Sequence, residues 1–194
     1  ADLSREAEVV KLVPRIVAAF GPPGLLVNSA SRFERDDALT ATRASWDLHL
    51  ETNLRAPFVL SQEFARHLPE EAEGLILNIL DQRVWNVTPY FTSYTVSKAG
   101  LWTITQTLAL ALAPRIRVNA IGPGPVMASA RQSQAQFDRQ VASVPLRRSA
   151  GVEEICAAIR FMIGARSMTG QMVALDGGQH LNWASPQLHP VPEE

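Results

Sequence analysis

Cysteine is almost absent from this sequence: Cys156 stands alone among 194 residues. No internal disulfide can form, so the fold must rest on a buried core, and a reducing cytoplasm is the compartment that suits it. An excess of charge of either sign is lacking too. The formal net charge is −1, which argues against nucleic acid or an anionic membrane surface as a partner. No apolar run approaches the roughly 18 residues that a membrane-spanning helix needs. No basic stretch leads into an apolar one, as a signal peptide would require. His49, His67, His180 and His189 show no metal-ligand spacing, so no metal is expected. Lysine is scarce, with Lys11 and Lys98 against sixteen arginines. Each lysine therefore merits attention, because a guanidinium cannot replace an ammonium that must approach a ring closely or exchange a proton. Also missing is a Gly-x-x-x-Gly-x-Gly turn, the kind that seats a pyrophosphate at a helix N-terminus.

What is present is a chain with 46% apolar residues, enough for one domain over residues 1–194 with a sizeable core. Helical and strand patterns alternate, which predicts α/β architecture with a parallel sheet and crossover helices. Ser4 is placed to cap a helix reaching Phe20, with a kink at Pro14. Leu25-Leu26-Val27 reads as a strand ending at Asn28-Ser29-Ala30. A helix is expected from Thr42 to His67, a strand from Gly74 to Leu80, and a long helix from Thr92 to Leu112. Arg115 to Ile121 and Gln171 to Leu175 read as two more strands. The near-continuous apolar character of Gly74 to Leu80 suits a strand covered on both faces. Gln132 to Val144 is polar and predicts a mobile flap. The Pro-rich tail, 180–194, reads as irregular. Cys156 falls in a helical apolar pattern and reads as core. Ala1-Asp2-Leu3 reads as the end of a strand, which predicts a segment ahead of it.

The chemically informative stretch is Ser93-Tyr94-Thr95-Val96-Ser97-Lys98. On a helix, positions i and i+4 share a face, so the Lys98 ammonium can lie near the Tyr94 hydroxyl. A cation there favours phenolate over phenol. A tyrosine tuned in this way can exchange a proton while a carbonyl or imine is reduced. By itself the pair reads more readily as a half-buried tyrosine beside a surface lysine, so its surroundings decide. Trp85, Tyr90, Phe91 and the segment Met127 to Phe137 are candidates for a substrate-pocket lining.

Those surroundings resemble the short-chain dehydrogenase/reductase family over nearly the whole chain. Leu26-Val27-Asn28-Ser29-Ala30 is similar to that family's Asn-Asn-Ala-Gly element. Asn53 resembles the helix asparagine whose carbonyl holds a water beside the catalytic lysine, and Tyr94 and Lys98 fall on the Tyr-x-x-x-Lys motif. Arg117 to Gly124 resembles the turn that receives the nicotinamide, and Asp176-Gly177-Gly178 resembles the end of the last strand. The resemblance implies a Rossmann-like, doubly wound parallel sheet with flanking helices, here with its N-terminal strands missing. It implies a nicotinamide cofactor touching Asn28, Ser29, Ala30, Tyr94, Lys98, Pro123, Gly124 and Val126, with Asp2 approaching the adenine. It also implies a homodimer or homotetramer built on the 42–67 and 92–112 helices.

One departure carries information. The position thirteen residues before Tyr94, where the family usually has serine, is Asp81. An aspartate there resembles the pteridine reductases and dihydromonapterin reductases of the family, which favours NADP(H) over NAD(H). A carboxyl group can shuttle a proton and accept hydrogen bonds from the amino and ring N–H groups of a pterin. The expected catalytic set is thus Tyr94, Lys98, Asp81 and Asn53, acting on a small-molecule substrate. Three readings stand at this point. They are a pterin reductase, a carbonyl or alcohol oxidoreductase in which Asp81 is incidental, and a non-catalytic oligomerising module.

Overall fold

A computed structural model describes residues 1–129 and 131–181. The expected irregular tail, and His189 with it, lies beyond Leu181 and outside the described residues. Four parallel strands form one sheet in the order β1-β2-β3-β4: Leu25–Asn28, Gly74–Ile79, Ile116–Pro123 and Met172–Leu175. Each connection between successive strands carries helices, as parallel pairing demands. The helices are α1 (Glu6–Val9), α2 (Leu12–Phe20), α3 (Arg43–Leu50), α4 (Ala56–His67), α5 (Thr92–Ala111), α6 (Gln134–Ser143) and α7 (Val152–Gly164).

The alternation of side chains along β2 explains the layering. Ile76 points into a cluster with Phe64 and Leu68 from the end of α4, Leu108 from α5 and Val118 from β3. Its neighbours Leu75 and Leu77 point the opposite way, onto Met162, Ile155 and Ile159 of α7. Successive residues of a strand face opposite sides, so a run apolar at every position must be covered on both. This is the doubly wound arrangement the sequence predicts. Phe64 and Ile76 are fully buried, and such a side chain contributes about 1.5–3 kcal/mol by leaving water.

Three elements differ from expectation, each for a local reason. The helix expected from Ser4 to Phe20 is two helices, broken at Val10–Lys11. A continuous helix would need an N–H at Pro14 to reach the Val10 carbonyl; restarting at Leu12 puts the proline in a first turn, where no such bond is made. Ser4 does not cap α1. Its N–H and hydroxyl both donate to Asp2 Oδ1, at 3.0 and 2.7 Å. The helix expected over Thr42–His67 runs as such, but widens to a π-helical segment over Glu51–Arg55, where the Ala56 N–H reaches the Glu51 carbonyl. Pro57 removes the N–H that an α-helix would send to the Asn53 carbonyl, and the backbone adapts there. The polar flap over Gln132–Val144 contains α6, started by Ser133, whose hydroxyl accepts from Gln136 N at 3.2 Å while Gln136 returns a bond to Ser133 N. That reciprocal cap is a helix-starting signal in the sequence itself.

Candidate active site

The carboxyl ends of all four strands open on one cleft, the place where parallel α/β sheets bind ligands. β1 supplies Ser31 and Phe33, β2 supplies Asp81, Gln82 and Arg83, β3 supplies Gly124 to Ser129, and β4 supplies Gln179. Tyr94 enters from α5, and Gln132 and Gln140 come from the α6 region. The cleft measures ≈ 440 Å³, within the range that holds a small organic molecule. The exits of β3 and β4 lie close together. A Cβ on Gly124 would fall 2.8 Å from the Asp176 backbone, so only glycine allows that approach.

Tyr94 and Asp81 meet in this cleft. The Tyr94 hydroxyl donates to Asp81 Oδ2 at 2.9 Å, and Asp81 Oδ1 accepts the Arg83 backbone N–H at 2.8 Å. Lys98 lies one helical turn beyond Tyr94, with Nζ 5.8 Å from the tyrosine ring centroid. Only 3% of Lys98 is exposed. Its ammonium donates to the Ile79 carbonyl at 2.8 Å. Burial pulls the Lys98 pKa down from 10.5 to about 8, and the charge of Asp81 opposes the shift. The folded value lies below the unfolded one, so the unfolded chain binds more protons between those two pH values. Stability from this group must therefore rise as pH climbs from about 8 to about 10.5. We expect ligand-free protein to gain on the order of 3 kcal/mol over that window relative to Lys98→Met. Parallel denaturant titrations of both proteins check this, and identical pH profiles would refute it.

Asn53 is fully buried in the π segment, and its side chain clamps the chain after β1. Oδ1 accepts from Arg32 N at 2.7 Å and Ser31 Oγ at 3.1 Å. Nδ2 donates to the Arg32 carbonyl at 2.9 Å and to Ser97 Oγ at 3.0 Å. Asn53 thus links the Ser31–Arg32 segment to α5 at Ser97, the residue before Lys98. Asn28 is buried at the end of β1, where its Nδ2 donates to Asn78 Oδ1 at 2.8 Å; Asn78 Nδ2 continues to Thr105 Oγ1 at 2.9 Å. Ser29 and Ala30 are exposed beside it. Of the residues expected to hold a cofactor, Tyr94, Gly124 and Val126 line the cleft, whereas Asp2, Asn28, Ser29, Ala30, Lys98 and Pro123 are not among its lining residues. Asp2 lies in the N-terminal turn, where hydrogen bonds from Ser4 hold its carboxyl below the usual range.

The sequence reading missed several residues here. Phe33 lines the cleft, stacked on Phe91 at 4.4 Å and edge-on to Tyr94 at 4.6 Å. Of the aromatics expected to line it, Phe91 supports Phe33 from behind. Trp85 packs on His180 at 5.2 Å, and Tyr90 lies under Arg35 at 4.7 Å. Phe91 has φ 60°, a left-handed conformation that costs a bulky residue about 1–3 kcal/mol. A buried network pins it. The Phe91 N–H donates to the Asp36 carbonyl at 2.6 Å, and the Asp36 carboxylate accepts the Ser93 hydroxyl and, at 3.2 Å, the Ser93 N–H. His49 joins at 2.7 Å from Ser93 Oγ, and its Nε2 accepts the Glu34 N–H at 3.0 Å. Accepting at Nε2 makes His49 a neutral imidazole with its proton on Nδ1, and burial lowers its pKa accordingly. No signal short of the fold joins Asp36, His49 and Ser93.

Comparisons with known proteins give the family and agree with the fold. The family described as Enoyl-(Acyl carrier protein) reductase matches residues 1–180. The chain belongs to it, and so to the short-chain dehydrogenases/reductases, a family of oxidoreductases. FolM Alternative dihydrofolate reductase 1 from Brucella suis, solved in complex with NADP, is 49% identical. It aligns at a TM-score of 0.92 over 96% of this chain and 75% of that one. The probable 2,4-dienoyl-CoA reductase of Bacillus subtilis is 31% identical over 191 residues, 93% of this chain and 75% of the relative. The 2-dehydro-3-deoxy-D-gluconate 5-dehydrogenase of Escherichia coli is 32% identical over 187 residues, 92% of this chain and 74% of the relative. No helix among the described residues is long and apolar enough to cross a membrane.

Proposed function

We propose that this chain belongs to an NADP(H)-dependent reductase of a pterin-like heterocycle, with Tyr94 as proton donor, Asp81 as its partner and Lys98 and Asn53 in support. The observation that carries the reading is the 2.9 Å hydrogen bond from Tyr94 to Asp81 inside the cleft. An aspartate, unlike a serine, offers two acceptor oxygens to the N–H edge of a flat heterocycle. The NADP complex of the FolM dihydrofolate reductase, with nearly half its sequence in common, points the same way.

The nicotinamide end of the cofactor fits the residues present. Among the described residues the Lys98 ammonium donates to Ile79 alone, leaving two of its three donors for a ribose diol. Tyr94 and Lys98 would hold the ribose, and the backbone around Pro123, Gly124 and Val126 the carboxamide. When bound, the nicotinamide supplies a hydride. The Tyr94 hydroxyl then gives its proton to the substrate atom left electron-rich, and the nearby ammonium stabilises the phenolate. Asp81, freed of that proton donor, accepts from the substrate.

A non-catalytic role explains less. A buried ammonium with a depressed pKa weakens the fold at neutral pH, and packing alone would favour an apolar side chain at 98. The reading carries with it a cytoplasmic homodimer or homotetramer built on 42–67 and 92–112. The exposed Val96 and Leu110 of α5 favour such pairing.

Asp81→Ser tests the assignment. In the full-length protein with NADPH and dihydrobiopterin, we expect the loss of absorbance at the nicotinamide band to slow by roughly 10²-fold. Unchanged pterin reduction in the variant would defeat the role given to Asp81. A protein that reduces simple ketones but no pterin would be a carbonyl reductase instead.

A further inference from the structure

Arg83 is the unexplained group in this cleft. It lies two residues past Asp81, in the short 3-10 turn Gln82–Val84, and is 8% exposed. A buried guanidinium is normally paired with a carboxylate or spends its five N–H donors on carbonyls. Arg83 does neither. Among the described residues no hydrogen bond or ion pair engages its side chain, and Nη1 is enclosed without any partner. Asp81 accepts the backbone N–H of Arg83, not its guanidinium. What surrounds the cation instead is aromatic: its Cζ lies 4.7 Å from the centroid of the Phe91 ring and 5.3 Å from that of the Phe33 ring.

That placement is built. Phe91 holds its ring under Arg83 from a left-handed backbone conformation. The Asp36, Ser93 and His49 network maintains that conformation from behind. Cation–π contact fixes the plane of a guanidinium without consuming its N–H groups. The cation is thus oriented and its donors are kept unspent. Next to it Gln82, also buried and also lining the cleft, has an enclosed Oε1 without a hydrogen bond. Unsatisfied buried polar groups are rare in proteins and gather where a ligand completes them.

We propose that Arg83 is the substrate-anchoring residue of this site, donating to an acceptor oxygen of the substrate, either a ring carbonyl or a carboxylate. The inference rests on the pterin reading and adds to it the charge and hydrogen-bond character of the group that enters beside Phe33. A flat heterocycle whose edge bears a carbonyl satisfies the free donors, and so does a heterocycle carrying an acidic tail.

The test uses the full-length protein with NADPH, and two substrates. Dihydrobiopterin has the ring carbonyl and no carboxylate; dihydrofolate has both. Arg83→Met keeps an unbranched chain as far as the position of Nε and deletes the charge together with all five donors. We expect its KM to rise about 10- to 100-fold, the range for losing a hydrogen bond from a charged group. The Kd for NADPH should hold, and the ligand-free Tm should hold or rise, because an unpaired buried charge has been removed. Arg83→Lys, which keeps the cation but not the fork, should recover part of the affinity. An equal rise in KM for both substrates assigns the ring carbonyl, and a rise for dihydrofolate alone assigns the carboxylate. If the unaltered protein reduces these substrates and Arg83→Met leaves both KM values unchanged, the inference is overturned while the pterin reading survives. A lower Tm with unchanged KM overturns it in the same way, by showing that the guanidinium only packs. If the unaltered protein reduces neither substrate, the pterin reading falls first and the inference with it.

Discussion

Tyr94→Phe should lower kcat by about 10³-fold, within the range measured for removing a positioned proton donor. The substitution deletes one oxygen. The ring keeps its edge contacts with Phe33 at 4.6 Å and His49 at 6.1 Å, so the fold should change little. Asp81 loses the donor at 2.9 Å, yet it lies in an open cleft where water can replace the bond. The ligand-free Tm is therefore expected to shift by no more than the equivalent of about 1 kcal/mol. Steady-state turnover and a thermal melt on the same preparation check both halves. A kcat within tenfold of the unaltered protein would remove the phenol from the chemistry.

Asn53→Ala should be the most destabilising single change near the site. Four hydrogen bonds converge on this side chain, from Ser31, Arg32 and Ser97. Ser97 is fully buried and would lose the donor it faces, whereas Ser31 and Arg32 are exposed and can turn to water. The balance is a loss of roughly 2–4 kcal/mol, or a Tm lower by about 5–15 °C for a chain of this size. The turn bearing Phe33 would loosen with it, and activity would fall beyond what stability alone explains. Circular dichroism melts together with amide exchange at Ser31 to Phe33 measure this. A Tm within about 2 °C of the unaltered protein would show that the clamp is dispensable.

The lines of the fold that periodicity controls were legible in the sequence. β2 is apolar at nearly every position, and that predicts helices on both faces. Asp81 was legible only through the family resemblance, which implies a polar group at the strand end about a dozen residues before Tyr94; the structure places it 2.9 Å from the Tyr94 hydroxyl. Local backbone detail was less so, although Pro14 and Pro57 both announce a missing N–H, and Ser133 with Gln136 spells a helix start inside a polar stretch. What the sequence could not disclose is burial without partners. Arg83 looks like any of sixteen arginines until the fold closes Phe33 and Phe91 against it. Asp36, His49 and Ser93 likewise come from three separate segments and meet only in three dimensions. Asn28, a motif position expected to touch the cofactor, donates its amide to Asn78 at the sheet end, a contact that no sequence pattern announces.

The widened turn at Glu51–Arg55 has a consequence for how α3 is set relative to α4. A π segment is an α-helix carrying one inserted residue. If those five residues closed into regular α geometry without losing one, α3 would swing by roughly one residue's rotation, about 100°, about the axis relative to α4. His49 would then point away from Ser93, and the left-handed Phe91 would lose the network behind it. The widening acts as a phase setting: it takes up one more residue than a regular turn and so keeps the angular offset between the half of the helix that packs on the sheet and the half that holds the floor of the cleft.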